Sequence, residues 1–75
     1  MIEQTEFLEI INLLEENYNK RMSDSIIRVW YDEFKKCDKF FLKEAIINCI
    51  KEYPYFPTIN QIKEQMEIFL QYKRI

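Results

Sequence analysis

The sequence predicts an all-α fold, a compact bundle of four short helices in a single domain over residues 1–75. Its 75 residues are the length of one small domain, which buries only about 60% of its unfolded surface. The chain has no Gly and only two Pro, whereas hairpin turns usually need Gly or Asn-Gly. Four stretches repeat apolar residues every three or four positions, which is the spacing of one helix face.

The first predicted helix runs from about Glu3 to Tyr18. Its glutamates and Asn12 are expected to face water. The segment holds five of the 13 acidic residues and no base, so the remaining chain carries eight acidic and 11 basic groups. The molecule is therefore expected to have an acidic helix against a mildly basic body. The predicted buried stripe is Phe7, Ile10, Ile11, Leu14 and Tyr18.

The second predicted helix lies within Ser23–Cys37 and is expected to be the centre of the core. It holds the only tryptophan, Trp30, and a buried Trp removes about 150–250 Å² from water. We expect Trp30 to pack against the first and third helices. Ser23 can cap the helix start by accepting from a first-turn amide. The predicted buried face is Ile26, Ile27, Trp30, Phe34 and Cys37.

The third predicted helix, Lys39–Glu52, has apolar residues on two sides. Asp38 is its predicted N-cap. Phe40 and Ile47 project away from the main apolar face, and such a helix is either fully buried or shares a face with a partner. The predicted core face is Leu42, Ala45, Ile46, Cys49, Ile50 and Tyr53.

Pro54 is expected to end the third helix and open an aromatic turn that reaches Pro57. Thr58 and Gln61 then have the spacing of a capping box at the start of a fourth helix. Ile68 and Tyr72 are predicted to point away from the core. The predicted buried stripe of this helix is Ile59, Ile62, Met66, Phe69 and Leu70.

The composition argues against catalysis and against a metal or cofactor. The chain has no histidine, which removes the usual proton shuttle and the commonest metal ligand. It also has no Gly-rich phosphate loop and no Cys/His zinc spacing. Cys37 and Cys49 are expected to be reduced core thiols of a cytoplasmic protein. No apolar run approaches the length of about 18 residues that a membrane span needs.

The outer face of the third helix is the candidate partner-binding site. Exposed apolar residues beside mixed charges are typical of a protein interface. The alternative is that the fourth helix or a second copy of the chain, as in a homodimer, covers these residues. The candidate residues are Phe40, Lys43, Ile47 and Lys51, with Tyr55 and Phe56 as the edge.

A lysine cluster around the turn between the second and third helices has two interpretations. Lys35, Lys36 and Lys39 can contact phosphates and give weak binding to nucleic acid. They can equally be lysines that match the dipole of a helix C-terminus. The net charge of −2 excludes a broadly basic nucleic-acid binder but leaves a local patch open.

Short motifs follow one another in a definite order along the predicted helices. They are Tyr18-Asn19, Val29-Trp30-Tyr31, Phe34, Asp38, Ala45 and Phe56-Pro57-Thr58-Ile59. This ordered set resembles the N-terminal helical domain of phage replicative-helicase loader and inhibitor proteins, and the similarity covers about Glu6–Met66. It implies a protein of the bacterial host cytoplasm that binds a hexameric helicase and an origin-bound initiator. Members of that family are usually longer and engage the helicase through a flexible C-terminal portion, so the resemblance implies the fold more directly than it implies loading.

Three functions stay open at this point. The first is a non-catalytic adaptor that regulates a replicative helicase or its loading partner. The second is an anti-defence protein, a phage inhibitor that docks on a host nuclease or another host enzyme. The third is weak DNA binding through the lysine cluster, which would fall steeply with salt.

Overall fold

The computed structural model describes residues 1–73 of the chain, and the side chains of residues 1–68. The described residues form four α-helices and no strand, which confirms the predicted all-α class. The bounds of the third helix match the prediction residue for residue. The helices are Gln4–Tyr18 (α1), Asp24–Phe34 (α2), Lys39–Glu52 (α3) and Ile59–Lys73 (α4).

Side-chain caps start α2, α3 and α4 where the sequence predicts them. The Ser23 hydroxyl accepts from a first-turn amide at 3.3 Å. An Asp38 carboxylate oxygen accepts from two amides, the nearer at 2.8 Å. At α4, the Thr58 amide donates to Gln61 Oε1 at 2.9 Å and the Gln61 amide donates to Thr58 Oγ1 at 3.2 Å. These bonds satisfy N–H groups that have no partner within the helix.

The core forms where α3 packs against both α1 and α4. The predicted stripes of α1 and α3 are the buried or half-buried faces of those helices. Ile59, Ile62 and Met66 of α4 also face the core, whereas Phe69, Leu70 and Tyr72 lie outside the described side chains. The buried hydrophobic residues are Ile2, Phe7, Ile10, Ile11, Leu14, Trp30, Phe34, Leu42, Ala45, Ile46, Cys49, Ile62 and Met66.

Trp30 is buried as predicted, and its aromatic neighbours lie on α2 and in the turn before α4. Its side chain is 7% exposed, and it belongs to the same core cluster as buried residues of α1 and α3. Its ring centroid lies 6.2 Å from Phe34 on the same helix and 6.0 Å from Phe56 in the turn before α4. The aromatic turn thus supplies an edge-on neighbour that the sequence did not predict.

Tyr18 ties the end of α1 to the end of α3. Its hydroxyl donates to the carbonyl oxygen of Tyr53 at 2.8 Å. The carbonyl oxygen of Cys49 is a second acceptor at 3.3 Å. Its ring also packs 5.6 Å from Phe56. Burial raises the pKa of this phenol, so the hydroxyl keeps its proton and stays a donor.

The N-terminal segment is fixed to the end of α2. Ile2 is buried, and its amide donates to the Lys35 carbonyl at 2.8 Å. The Tyr31 hydroxyl donates to the Ile2 carbonyl at 2.7 Å, and its ring meets Phe7 edge-on at 5.3 Å. This contact joins α2 to the start of α1.

Ile26 corrects our prediction of the buried face of α2. It is 48% exposed, and Val29 beside it is 53% exposed. With about 100° per residue, Ile26 is rotated about 40° from Trp30 to one side, while Phe34 is rotated about 40° to the other. The core lies on the Phe34 side, so Ile26 is left at its edge.

Two ion pairs connect helices that are distant in sequence. Lys39 of α3 pairs with Glu6 of α1, and Lys63 of α4 pairs with Glu33 of α2 at 2.7 Å. The hydrogen bond from Lys39 lowers the pKa of Glu6, and the same bond raises the pKa of Lys39. Both groups are exposed, so water screens the interaction.

The packing of Trp30 gives a prediction for stability. Trp30→Ala should lower the free energy of unfolding by about 3–5 kcal/mol, because it removes a buried aromatic ring and leaves a cavity. Val29→Ala is the matched control one residue away, and it should change stability by less than about 0.5 kcal/mol. Urea unfolding followed by circular dichroism measures both. Equal midpoints for the two variants would show that Trp30 is not part of the core.

The Glu6–Lys39 pair predicts a pH-dependent effect on stability. Because the pKa of Glu6 is lowered by folding, its contribution is present above its unfolded pKa of about 4.3 and is lost as the pH falls through its folded value. Because the pKa of Lys39 is raised, its contribution is present below about 10.4 and is lost as the pH rises through its folded value. Glu6→Gln should therefore lower Tm at pH 7 but not at pH 2.

Glu9→Gln is the control, since Glu9 forms no ion pair among the described side chains. It should leave the melting temperature at pH 7 unchanged. If Glu6→Gln lowers the melting temperature by the same amount at pH 7 and at pH 2, the ion pair is not the cause of the loss.

Candidate functional site

Phe40 is the most exposed aromatic side chain among the described residues, at 69%. The sequence places it there because it lies two positions before the fully buried Leu42, hence about 160° away around the helix. The Asp38 cap fixes the first turn of α3 and accepts from the Phe40 amide at 2.8 Å. A rigid helix end thus presents an aromatic ring to solvent.

A groove between α1 and α3 runs beside Phe40. It has a volume of about 320 Å³. Ile10 is buried and Leu13 is half-buried, so the floor of the groove is apolar. The residues that line it are Glu6, Glu9, Ile10 and Leu13 from α1, and Lys39, Phe40 and Lys43 from α3.

The two walls of the groove carry opposite charges. Glu6 on α1 is already neutralised by Lys39 on α3. Glu9 and Lys43 carry the remaining charges, and neither forms an ion pair with any described side chain. The groove therefore offers a carboxylate on one wall and an ammonium on the other.

The remaining predicted interface residues extend along α3 from this groove. Ile47 is half-buried and Lys51 is exposed. Tyr55 is 54% exposed beyond the other end of the helix, where it stacks on Tyr53 at 5.8 Å and its hydroxyl accepts from the Gln61 side chain at 3.0 Å. Phe40 and Lys51 are separated by about 16 Å of helix, so the predicted site is an elongated face.

Phe56 does not join that face. Its ring packs against Tyr18 and Trp30, and it is half-buried against the core. Lys20 Nζ lies 5.8 Å from its ring centroid. The sequence predicts Phe56, with Tyr55, as the edge of the interface. The structure corrects this assignment to a core contact.

The lysine cluster is partly neutralised within the domain. Lys35 pairs with Asp32 at 3.5 Å, and Lys39 pairs with Glu6. Lys36 is exposed and forms no ion pair with a described side chain. Two of the three predicted phosphate contacts therefore already have carboxylate partners.

Both cysteines are free thiols in environments that oppose ionisation. Burial raises the pKa of Cys49 to about 11. Burial also raises the pKa of Cys37, with a smaller opposing effect from Lys63. Both groups are therefore protonated at neutral pH and are weak nucleophiles. Within the described residues there is no cluster of three metal-ligating side chains, and no helix long and apolar enough to cross a membrane.

A second exposed apolar pair lies on α2 and was missed from the sequence. Ile26 and Val29 are both about half exposed. Val29 directly precedes Trp30, which together with Pro57 helps to line a shallow cleft of about 530 Å³ between α2 and the start of α4. The sequence feature that could have indicated this pair is Val29, an apolar residue that falls outside the predicted buried face of α2.

Comparison with known proteins identifies the family. No curated protein and no solved structure matches the chain. The family model for the N-terminal domain of a phage helicase loader and inhibitor matches residues 2–63, a stretch that contains α1, α2, α3 and the start of α4. This match confirms the resemblance predicted from the sequence. The chain thus belongs to the family of N-terminal domains of phage helicase loader and inhibitor proteins.

Proposed function

We propose that this domain is a non-catalytic adaptor that binds a replicative helicase, or the protein that loads with it, and regulates it. The proposed contact is the α3 face, which we define as Phe40, Lys43, Ile47, Lys51 and Tyr55. The observation that supports it is the 69% exposure of Phe40 beside an apolar groove. Family membership supplies the class of partner.

The α3 face has the composition of a protein interface. Aromatic residues are enriched at the centres of interfaces, and lysine is more common at the rim. Complete burial of an exposed Phe or Ile returns about 1.5–3 kcal/mol, before the costs of association. Phe40 therefore supplies most of the apolar affinity, and Ile47, which is already half-buried, supplies less. Lys43 and Lys51 set orientation and encounter rate.

Charge distribution disfavours DNA as the partner of this face. Glu9 lines the same groove as Lys43, has no ion-pair partner among the described side chains and would repel phosphates. Two lysines of the nearby cluster already pair with carboxylates. A protein surface with both signs of charge fits such a site better than a nucleic-acid backbone does.

A double substitution tests the proposed contact. Phe40→Ala with Ile47→Ala should weaken binding to the purified replicative helicase of the bacterial host at least tenfold, or about 1.4 kcal/mol. The double variant should keep the wild-type far-UV spectrum, because Phe40 is mainly in solvent and Ile47 lies outside the core cluster. Biolayer interferometry measures the affinity, and a thermal melt checks the fold.

Val29→Ala is the matched control, because Val29 is similarly exposed but lies on α2. It should bind like the wild type. If the double variant folds and binds at full strength while Val29→Ala is impaired, the contact lies on α2 and not on α3.

Salt dependence separates protein binding from DNA binding. Between 50 and 200 mM salt, helicase affinity should fall less than about tenfold, since an apolar contact dominates. DNA binding through the three clustered lysines would fall about 40-fold over the same range, from a slope of about −0.9 per neutralised phosphate. Fluorescence anisotropy with labelled duplex DNA and with labelled helicase gives both slopes. A steep slope with DNA at submicromolar affinity would support the nucleic-acid interpretation.

Capture from bacterial lysate distinguishes the helicase from the anti-defence alternative. The tagged domain should recover a hexameric replicative helicase, and Phe40→Ala with Ile47→Ala should lose it. Recovery of a nuclease complex without any replication protein would contradict the proposed function.

A further inference from the structure

We infer that the α1/α3 groove receives an amphipathic helix of the partner, with a basic side chain facing Glu9 and an acidic side chain facing Lys43. This inference rests on the proposed function and specifies the element that the domain recognises. The groove spans Glu6 to Leu13 on α1, which is about 10 Å of helix. That length matches about two turns of a docked helix.

The groove has room for apolar side chains. Its volume of about 320 Å³ compares with the cavity of about 150 Å³ that holds benzene in another protein. The side chains of Ile10 and Leu13 form an apolar floor, and the Phe40 ring forms one wall. Three apolar residues of a partner helix, at i, i+3 or i+4, and i+7, can therefore lie along its length of about 10 Å.

The surroundings of the groove favour a helix over an extended peptide. Peptides that bind as strands gain affinity from main-chain hydrogen bonds to a free sheet edge. Both walls here are α-helices, whose backbone groups are bonded internally along the groove. A docked helix satisfies its own backbone groups and needs only side-chain contacts.

The unpaired charges define which flank of the partner helix is basic and which is acidic. Glu9 and Lys43 are on opposite walls and have no ion-pair partner among the described side chains. A helix with a basic residue on one flank of its apolar ridge and an acidic residue on the other flank pairs with both. If the same helix docks in the opposite direction, its two flanks are exchanged. Like charges then face each other, and this orientation is disfavoured.

The same features argue against a second copy of this chain as the occupant. Among the described side chains, most residues of the apolar stripes lie in the shared core, and α1 and α4 each carry a single exposed large hydrophobic residue, Leu8 and Ile68. Among the described side chains of α2, only Ile26 and Val29 are exposed large hydrophobic residues, and they sit three apart without a third anchor. That pair is shorter than the two-turn ridge that the groove accommodates.

Overlapping 20-residue peptides that together cover the replicative helicase provide the test. One peptide with apolar residues at i, i+3 or i+4, and i+7 should bind the domain and gain helicity at 222 nm. Glu9→Lys and Lys43→Glu should each weaken its binding about fivefold at low salt, the effect of a rim charge pair worth about 1 kcal/mol. Reversing both flanking charges of the peptide should restore its affinity for the Glu9→Lys, Lys43→Glu double variant.

Glu64→Lys is the matched control, since Glu64 is exposed on α4 and does not line the groove. It should leave peptide binding unchanged. Equal effects from Glu64→Lys and Glu9→Lys would show only a general charge effect and would overturn the inference.

The outcomes separate this inference from the proposed function. If the intact helicase binds through Phe40 but no peptide gains helicity, or the reversals have no effect, the helix-docking inference fails and the proposed function stands. If neither the intact helicase nor the protein that loads with it binds the domain, both fail. If sedimentation shows a dimer that Lys43→Glu dissociates, the occupant is a second copy and the inference is wrong.

Discussion

The position of the Phe56 ring is the constraint on which the arrangement of the four helices depends. Phe56 lies in the turn between α3 and α4, and its ring meets Tyr18 of α1 at 5.6 Å and Trp30 of α2 at 6.0 Å. The buried Pro57 follows it and limits the backbone of the turn. One aromatic ring therefore brings α1, α2 and the α3–α4 connection together. The Tyr18 hydroxyl strengthens this junction by donating to the end of α3.

The packing of α3 determines which of its sides faces solvent. Because α3 packs on α1 and α4, its Leu42 and Cys49 side faces inward and its Phe40 side faces solvent. The Glu6–Lys39 pair joins the two walls of the groove. The groove of this domain is thus apolar, with two opposite charges that have no ion-pair partner among the described side chains. These features are the basis of the proposal that it binds a segment of a protein and not phosphates.

Local interactions explain why most of the fold could be predicted from the sequence. The bounds of α3 follow from the Asp38 cap and Pro54, and the start of α4 follows from the Thr58/Gln61 capping box, since each signal lies within a few residues of its effect. Phe56 and Lys39 could not be placed in this way. Phe56 contacts residues 38 and 26 positions earlier, and Lys39 pairs with Glu6 across 33 positions. Ile26 was misplaced because periodicity gives the centre of a buried face better than its edges. The exposure of Phe40 was predictable, since it lies opposite a strong apolar stripe.

Site-specific photo-crosslinking is the measurement that tests the proposed α3 contact most directly. Phe40 and Val29 would each be replaced, in separate variants, with p-benzoylphenylalanine, an aromatic probe that reacts with groups within a few ångströms. Both positions are more than half exposed, so the probe need not disturb the core. Irradiation with the replicative helicase should give a covalent adduct from position 40 and none from position 29. An adduct from position 29 alone would contradict the assignment of the contact to α3.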